Sequence, residues 1–230
     1  MKTEAVIVSA GKGLRFKEGK KKQFLLLADK PVLVHTLNQF EACPLVHAIH
    51  LVVSQEDMDY CLKEVIEKYG YRKILQVVPG GERRQESVKN GIDLLSKDAD
   101  IVIIHDGVRP LVTKEMIEES IRSTMEYQAV VVALPVKDTI KMVNPDKTVL
   151  KTLDREFLWQ VQTPQPFRAS LIREAFYRAT EDGFVGTDDA SLVERLGVKV
   201  HVLPGSYTNI KITTPDDLIL ANLFLQMSSD

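Results

Sequence analysis

A loop of small and basic residues follows the first apolar segment of the sequence. Ala5–Ser9 is predicted to form a buried strand, and residues 9–15 (SAGKGLR) continue directly from it. Small residues let a backbone approach a ligand closely and point N–H groups at an anion. The loop lacks the G-x-x-x-x-G-K-[ST] pattern of a P-loop, and Phe16 stands where a dinucleotide fingerprint needs a small residue. Neither standard nucleotide motif therefore explains this loop.

Basic residues dominate the segment that continues the loop. Residues 12–22 contain six basic residues and one acid, although the whole chain has a formal net charge of −2. A charge run of this kind is often only a solvated loop, and that alternative stays open at this point. Because the segment follows the carboxyl end of a strand, where open α/β sheets bind ligands, its position favours a polyphosphate.

The same segment fits the pattern G-x-G-x-R-(x6)-K-Q, with Arg15, Lys22 and Gln23 at its fixed positions. It resembles the signature of nucleotidyltransferases that join a nucleoside triphosphate to a phosphorylated sugar or polyol. Seven further motifs follow in order: GGERRQESV at 80–88, HDGVRP at 105–110, PVKDT at 135–139, LW at 158–159, QTPQ at 162–165, TDDAS at 187–191 and NIK at 209–211. Over residues 4–225 the chain resembles the 2-C-methyl-D-erythritol 4-phosphate cytidylyltransferases of the non-mevalonate isoprenoid pathway.

The resemblance implies a fold and an activity. The fold is a doubly wound, mostly parallel α/β sheet of the Rossmann-like nucleotidyltransferase type, with residues 1–230 as a single domain. The activity is transfer of a cytidylyl group from CTP to 2-C-methyl-D-erythritol 4-phosphate, which yields 4-diphosphocytidyl-2-C-methyl-D-erythritol and pyrophosphate. A close alternative is the same reaction on another polyol phosphate, such as ribitol 5-phosphate.

Two alternatives come from other functional classes. A nucleotide-sugar glycosyltransferase shares this type of sheet, but it needs an Asp-x-Asp at a strand end, and HDGVR at 105–109 does not supply one. A non-enzymatic nucleotide-binding module is the second alternative. The presence of both Lys22 and Asp106 disfavours it.

The resemblance also assigns residues to the nucleotide and to the transferred phosphate. It implies that Arg15, Lys22 and Lys211 are catalytic and that Asp106 binds Mg²⁺ or another divalent cation. The nucleotide-binding positions that it implies are Ala10, Gly11, Gly13, Gly81, Glu82 and Ser87. Without the resemblance, Asp106 could equally cap the turn before Pro110, and the paired glycines could form only a tight turn.

Four further positions match the site of the polyol phosphate. They are Thr139, Arg155, Thr163 and Thr187. The guanidinium of Arg155 can bind a phosphate through two parallel hydrogen bonds, which a lysine cannot do. Thr187 and Asp188 could also serve as an N-cap for the helix that follows, and the two roles are compatible.

The composition places limits on partners and compartment. Lys and Arg number 30 against 32 Asp and Glu, so no global positive field attracts nucleic acid or an anionic membrane. No apolar run approaches the roughly 18 residues of a membrane span, and the N-terminus does not resemble a signal peptide. Cys43 and Cys61 stand alone and are expected to be small buried hydrophobes in a reduced, cytoplasmic protein.

Short β-branched runs alternate with amphipathic helical patterns through most of the chain, which predicts parallel strands joined by crossover helices. Helices are predicted from Pro31, over 55–69 with Leu62 on the buried face, over 83–96 and after a Thr113 cap. Trp159 is expected in the core, and Lys211 in a strand-like segment over 207–212. The predicted strands are Ala5–Ser9, Ile49–Val53, Ile74–Val78, Ile101–His105, Ala129–Leu134 and Lys199–Leu203.

The alternation breaks after Pro135. Residues 138–153 are predicted to form two polar strands around a turn at residues 144–147 (NPDK). A lone hairpin is only marginally stable in water, so this one must contact something else. Residues 136–156 are therefore expected to form a β-arm that reaches a partner subunit in a homodimer, and an ordinary surface hairpin is the alternative.

Overall fold

The computed structural model describes residues 1–11 and 21–227. The strands are β1 (Thr3–Ser9), β2 (Leu26–Leu27), β3 (Lys30–Pro31), β4 (Ala48–Val53), β5 (Ile74–Pro79), β6 (Ile101–Asp106), β7 (Val130–Pro135), β8 (Lys141–Val143), β9 (Val149–Thr152), β10 (Trp159–Val161), β11 (Gln165–Arg168) and β12 (His201–Pro204). The α-helices are α1 (Val32–Ala42), α2 (Met58–Tyr60), α3 (Arg84–Ile92), α4 (Lys114–Tyr127), α5 (Ala169–Glu181), α6 (Ala190–Glu194) and α7 (Pro215–Met227). The six strands predicted from the apolar, β-branched runs all form, with bounds within two residues of those expected.

Five strands form the central, mostly parallel sheet, in the order β11-β6-β1-β4-β5. β1 lies between β4 and β6 and pairs in parallel with both, and β5 extends the sheet beyond β4 in the same direction. β11 runs antiparallel beside β6. All residues of β1 are buried, whereas β5 at the edge is partly exposed. The predicted doubly wound, mostly parallel sheet is therefore confirmed.

Helices cover both faces of this sheet. On one face α1 and α4 contribute Phe40 and Ile117 to a buried cluster with the strands, and on the other α3 and α5 contribute Val88 and Phe176. Because β1, β5 and β6 run in the same direction, the loops that leave their carboxyl ends meet at one edge of the sheet. Within the described ranges, no helix has both the length and the apolar character required to cross a membrane.

A second sheet of three strands has the order β10-β7-β12. An isolated pairing between Ala129 and Phe167 connects the start of β7 to β11. β7 is buried up to its last residue, as expected for a central strand. Trp159 begins the edge strand β10 and is 43% exposed, so the expectation that it lies in the core is wrong for the single chain.

The helix predicted over residues 55–69 is irregular. A 3₁₀ turn leads into α2, which continues as a π-helix over Cys61–Glu67. The wider turn of a π-helix changes which side chains face the sheet. Cys61 is fully buried, whereas Leu62 is 40% exposed. The prediction that Leu62 faces the core is therefore wrong, and the prediction of buried, free thiols at Cys61 and Cys43 is confirmed.

The polar segment after β7 forms the predicted hairpin. β8 and β9 pair in antiparallel fashion, and the backbone N–H of Asn144 donates to the carbonyl of Thr148 at 2.9 Å. Lys147 completes the turn with a φ of 68°. Every residue of β8 and β9 is exposed. The arm therefore presents both of its strands to the surroundings of the single chain.

Candidate active site

A cleft of about 220 Å³ lies where β1, β5 and β6 end. Eight residues that the sequence assigned to the nucleotide, the metal or catalysis line this cleft: Ala10, Gly11, Lys22, Gly81, Glu82, Ser87, Asp106 and Lys211. Arg15 and Gly13 lie outside the described residues, so their assigned roles stay predictions. The described residues thus bring together segments that are far apart in the sequence.

Asp106 is surrounded by cations. It ends β6 and is almost completely buried. Its Oδ1 accepts a hydrogen bond from Nε of Arg84 at 3.0 Å, while its Oδ2 lies 2.8 Å from Nζ of Lys211 and 3.8 Å from Nε of Arg109. Burial by itself raises the pKa of Asp106, but the charges of Arg84 and Lys211 outweigh it and hold the pKa well below its usual range. The carboxylate therefore stays ionised at neutral pH.

A buried chain of hydrogen bonds through His105 and Thr163 fixes the backbone of Asp106. Burial lowers the pKa of His105 to about 3, so its imidazole is neutral. Nε2 of His105 contacts the carbonyl oxygen of Arg109 at 3.3 Å and must donate to it, which leaves Nδ1 to accept from Oγ1 of Thr163 at 3.0 Å. The same Oγ1 accepts from the backbone N–H of Asp106 at 3.1 Å. The described contacts of Thr163 therefore position Asp106, and its role toward the polyol phosphate stays a prediction.

Lys211 reaches Asp106 from an irregular segment. The strand-like conformation expected over residues 207–212 is wrong, because Ser206, Thr208 and Asn209 make local turn contacts instead of pairing with a neighbouring strand. The backbone N–H of Ile212 donates to the carbonyl of Val108 at 2.9 Å. This bond ties the segment to the loop after β6 and places Lys211 at the cleft.

The glycines after β5 permit a close approach of two loops. A Cβ on Gly80 would lie 2.3 Å from Cβ of Ala10, so only glycine lets the loop after β5 contact the loop after β1. Oγ of Ser87 accepts from the backbone N–H of Gly81 at 3.1 Å and donates to the carbonyl of Arg83 at 3.1 Å. The turn is thus held by the first turn of α3, with Ser87 and Gly81 both at the cleft surface.

Gln23 and Lys21 fix the chain beside the cleft at the start of the described segment from residue 21. The buried amide of Gln23 donates to the carbonyl of Ser9 at 3.0 Å. Nζ of Lys21 contacts Oδ2 of Asp57 at 2.9 Å and also pairs with the carboxylate of Glu56. Lys21 therefore belongs to an ion-pair cluster beside the cleft, and this member of the basic run has a structural role.

The other predicted polyol-phosphate residues do not line the cleft of the single chain. Thr139 and Arg155 are exposed on the arm, where NH1 of Arg155 donates to the carbonyl of Lys137 at 2.6 Å. Thr187 is exposed before α6, and the cap of that helix comes from Asp188, whose Oδ1 accepts from the N–H of Ser191 at 3.0 Å. One chain therefore assembles the nucleotide side of the predicted site more completely than the polyol side.

A divalent cation fits the cleft if phosphate supplies part of its coordination. In the part of the chain that the structure describes, no group of three or more His, Cys, Asp or Glu side chains could hold a metal ion. Mg²⁺ does not need such a group, because it commonly binds one or two carboxylates together with phosphate oxygens and waters. A carboxylate has about four lone-pair sites, so Asp106 can accept a cation in addition to its present partners.

The family of 2-C-methyl-D-erythritol 4-phosphate cytidylyltransferases matches residues 3–227 of the chain. The chain belongs to this family. A cytidylyltransferase of this name from Caldanaerobacter subterraneus is 49% identical over 226 residues, which cover 98% of this chain and 100% of that protein. A bifunctional IspD/IspF enzyme of Desulforudis audaxviator is 46% identical over 97% of this chain and 56% of its own length. The crystal structure of 4-diphosphocytidyl-2C-methyl-D-erythritol synthase from Anaerococcus prevotii has a TM-score of 0.87 at 33% identity and covers 98% of this chain and 96% of that one.

Gln23 and Arg84 are among the residues of the cytidylyltransferase cleft that received no role from the sequence. Gln23 and Arg84 both stand within recognised motifs, but a motif does not show which partners a side chain finds. For Arg84 a physical signal was present, since it lies in the first turn of a predicted helix, where the helix dipole disfavours a cation. A nearby carboxylate offsets this unfavourable interaction, and Asp106 is one of the two carboxylates that Arg84 contacts.

Proposed function

We propose that the cleft at the ends of β1, β5 and β6 is where this cytidylyltransferase transfers a cytidylyl group from CTP to 2-C-methyl-D-erythritol 4-phosphate. The reaction, a step in isoprenoid precursor synthesis, releases pyrophosphate. The observation that carries the placement is the meeting of Lys22, Lys211 and Asp106 in one cleft with Gly81 and Ser87. The cleft therefore combines cations that can bind phosphates with small residues that let a base approach the backbone.

The chemical problem of this reaction is electrostatic. A phosphate monoester must attack the α-phosphate of a triphosphate, so two anions have to meet in line. No nucleophilic side chain is required, because catalysis comes from positioning and from charges that stabilise the pentacoordinate α-phosphate. We assign that stabilisation to Lys22 and Lys211, with Arg15 as the third cation that the family resemblance implies.

The nucleotide is assigned to the loops after β1 and β5. The backbone at Ala10 and Gly11 is available to the phosphates, and the turn at Gly81 and Glu82 is available to the cytosine. Ser87 supports this turn through its bond to the N–H of Gly81. Gly13 completes the set that we assign to the nucleotide.

We assign Mg²⁺, or another divalent cation, to Asp106 and the phosphates of CTP. A bound divalent cation would neutralise phosphate charge and polarise the α-phosphate. The contribution of the chain is to keep Asp106 ionised and fixed, through the cations at its oxygens and the bond of Thr163 to its backbone. Lys211 shares Oδ2 of Asp106, so it is placed to contact the same phosphates.

We assign the polyol phosphate to a surface completed by the arm of a second copy of this chain. Thr139 and Arg155 lie on the arm, away from the cleft of their own chain. The arm and the short turn at its end expose large apolar side chains, including Leu150 at 60% and Phe157 at 78%. A homodimer that exchanges arms would cover these side chains and bring Arg155 to the partner's cleft. Thr163 and Thr187 are the remaining residues assigned to this substrate.

The free cysteines support a cytoplasmic location. Cys43 and Cys61 are unpaired and buried, which suits a compartment that keeps thiols reduced. Burial raises the pKa of the Cys61 thiol to about 12, so this thiol is protonated and unreactive. We therefore propose the cytoplasm as the site of the reaction, with CTP and the polyol phosphate as small-molecule partners.

Pyrophosphate release tests the proposed reaction. The purified protein is mixed with CTP, Mg²⁺ and a panel of polyol phosphates that includes 2-C-methyl-D-erythritol 4-phosphate, D-erythritol 4-phosphate and ribitol 5-phosphate. We expect the highest kcat/KM with the first, and only background release when the polyol phosphate is omitted. Preferred turnover of ribitol 5-phosphate, or no turnover of any member of the panel, would contradict the proposal.

A further inference from the structure

We propose that Arg84 is a positioning residue that anchors the carboxylate of Asp106 to the buried side chain of Asp189, at the start of α6. This inference rests on the proposed function of the cleft, and it adds two residues outside the set assigned above. The guanidinium bridges two carboxylates from different parts of the chain. Its Nε donates to Oδ1 of Asp106 at 3.0 Å, and its NH2 donates to Oδ2 of Asp189 at 2.9 Å.

Asp189 is suited to serve as the fixed end of this bridge. It is 1% exposed, and α6, which follows it, buries Leu192 and Val193 in the core. The backbone N–H of Ala190 donates to Oε1 of Gln165, which belongs to β11 of the central sheet. Burial raises the pKa of Asp189, and the charge of Arg84 partly offsets the rise. Asp189 is therefore held by the core, and among the described residues its carboxylate pairs with Arg84.

The bridge gives the two oxygens of Asp106 different partners. Arg84 takes Oδ1, while Lys211 lies at Oδ2. Lys211 has a single described ion pair, so it can turn toward a phosphate when substrate binds. Arg84 is held at both ends and continues to neutralise and orient Asp106 when Lys211 leaves. A lysine at position 84 is expected to replace it poorly, because an ammonium donates from one atom, whereas Nε and NH2 of a planar guanidinium donate from separate atoms in fixed directions.

Two other roles for Arg84 make different predictions. If Arg84 only braces the fold, its loss lowers the melting temperature and leaves the kcat of the folded enzyme unchanged. If Arg84 contacts a phosphate of CTP directly, its loss raises the KM and Kd for CTP as well as lowering turnover. Only the bridge predicts that the two residues act on kcat as one unit while the affinity for CTP is unchanged.

The test is a double-mutant cycle with Asp189→Asn, Arg84→Gln and the double variant, assayed with CTP and 2-C-methyl-D-erythritol 4-phosphate. Asp189→Asn keeps the volume of the side chain and removes its charge. We expect it to lower kcat by about tenfold while the KM and Kd for CTP stay within about twofold, since loss of an orienting partner typically costs 10- to 100-fold. Arg84→Gln is expected to lower kcat further, and the double variant to match Arg84→Gln.

The controls separate the bridge from folding and from the function itself. Asp182→Asn removes a carboxylate that pairs with Arg195 at 2.9 Å on the surface, and it should leave kcat unchanged. Arg84→Lys keeps the charge and should still lose most of the kcat, with a melting temperature that reports whether it folds. Wild-type kcat in Asp189→Asn, additive losses in the double variant, or full activity of Arg84→Lys would each overturn the bridge. An inactive wild-type protein would instead refute the proposed function.

Discussion

Asp106 in the cleft and Arg155 on the arm are held in very different ways. Asp106 is buried, contacts Arg84 and Lys211 through its carboxylate, and is fixed through its backbone by Thr163. Arg155 is exposed, and its described side-chain hydrogen bond goes to the carbonyl of Lys137 on the same arm. The cleft is therefore organised by its own chain, whereas the arm needs an external surface to position its side chains.

This difference divides the reaction between two kinds of structure. The nucleotide side is built on the ends of β1, β5 and β6, in a sheet whose two faces are packed by helices, and this packing limits movement. The polyol side is assigned to a hairpin with exposed strands, and such a hairpin gains stability only against another surface. Substitutions in the cleft should act on the transferred phosphate, and substitutions on the arm should act on the polyol phosphate.

The largest effect is expected from Lys22→Ala. A cation directed at developing charge acts mainly on the transition state, so we expect kcat to fall by about 10²–10³-fold while KM for CTP changes far less. Steady-state kinetics with CTP as the varied substrate measure both quantities. Lys199→Ala removes an exposed lysine away from the cleft and serves as the control. A raised KM for CTP with wild-type kcat would show that Lys22 only binds the nucleotide.

Arg155→Ala should weaken binding of the polyol phosphate and leave binding of CTP unchanged. Loss of a charge-assisted, two-bond contact to phosphate is expected to raise KM for the polyol phosphate by about 10- to 100-fold. Arg155→Lys should recover only part of the loss, because an ammonium makes a single point contact. Varying each substrate in turn separates the two sites. An equal rise in both KM values would remove the distinction between cleft and arm.

Asp106→Asn should make activity depend on much more Mg²⁺. A neutral amide is a poorer ligand for a hard cation than a carboxylate, so the half-saturating Mg²⁺ concentration should rise by at least about tenfold. A magnesium titration at saturating CTP measures the shift. If the titration curve of the variant overlays that of the wild type, the metal assignment is wrong and Asp106 serves only its neighbouring cations.

The smallest effect is expected beside the cleft, at Lys21. Its ion pairs hold the short turn that carries Lys22, and partly exposed pairs of this kind are weak, so Lys21→Ala should raise KM for CTP by only about two- to fivefold. Asp57→Asn should raise KM for CTP by a similar amount, because the side chain of Asp57 is only 12% exposed. Glu56→Gln should change KM little, because the side chain of Glu56 is 71% exposed. If Glu56→Gln raises KM for CTP more than Asp57→Asn does, Glu56 is the carboxylate that holds Lys21.

The sequence predicted the parts of the fold that depend on local pattern. The β-branched run over residues 101–104 predicted a buried strand over Ile101–His105, and the turn at residues 144–147 predicted a hairpin. The sequence could not show that β5 lies at an edge or that Trp159 begins an exposed strand, because both depend on neighbours that are distant in the chain. The π-helical winding near Cys61 likewise has no recognised local signature.

The residues of the candidate site also fall into those that the sequence predicted and those that only the fold reveals. The position of the basic segment after β1 favoured a polyphosphate at the carboxyl edge of the sheet. The family resemblance, and not the local pattern, supplied most of the cleft residues. The partners of Asp106 could not be predicted, since Arg84 and Lys211 are separated from it by 22 and 105 positions in the numbering. Arg84 and Asp189 are likewise 105 positions apart, so only the folded arrangement reveals the bridge between them.

Subunit mixing tests the division between cleft and arm most directly. Lys22→Ala and Arg155→Ala proteins are combined and allowed to exchange subunits, which differently tagged copies can verify. Activity is measured at a polyol phosphate concentration far below the raised KM of Arg155→Ala, where each variant alone has little turnover. If each site takes Lys22 from one chain and Arg155 from the other, a mixed dimer has one site with both lesions and one with none. Random exchange makes about half of the dimers mixed, so about a quarter of wild-type activity should return. No recovery of activity despite verified exchange would contradict the shared site.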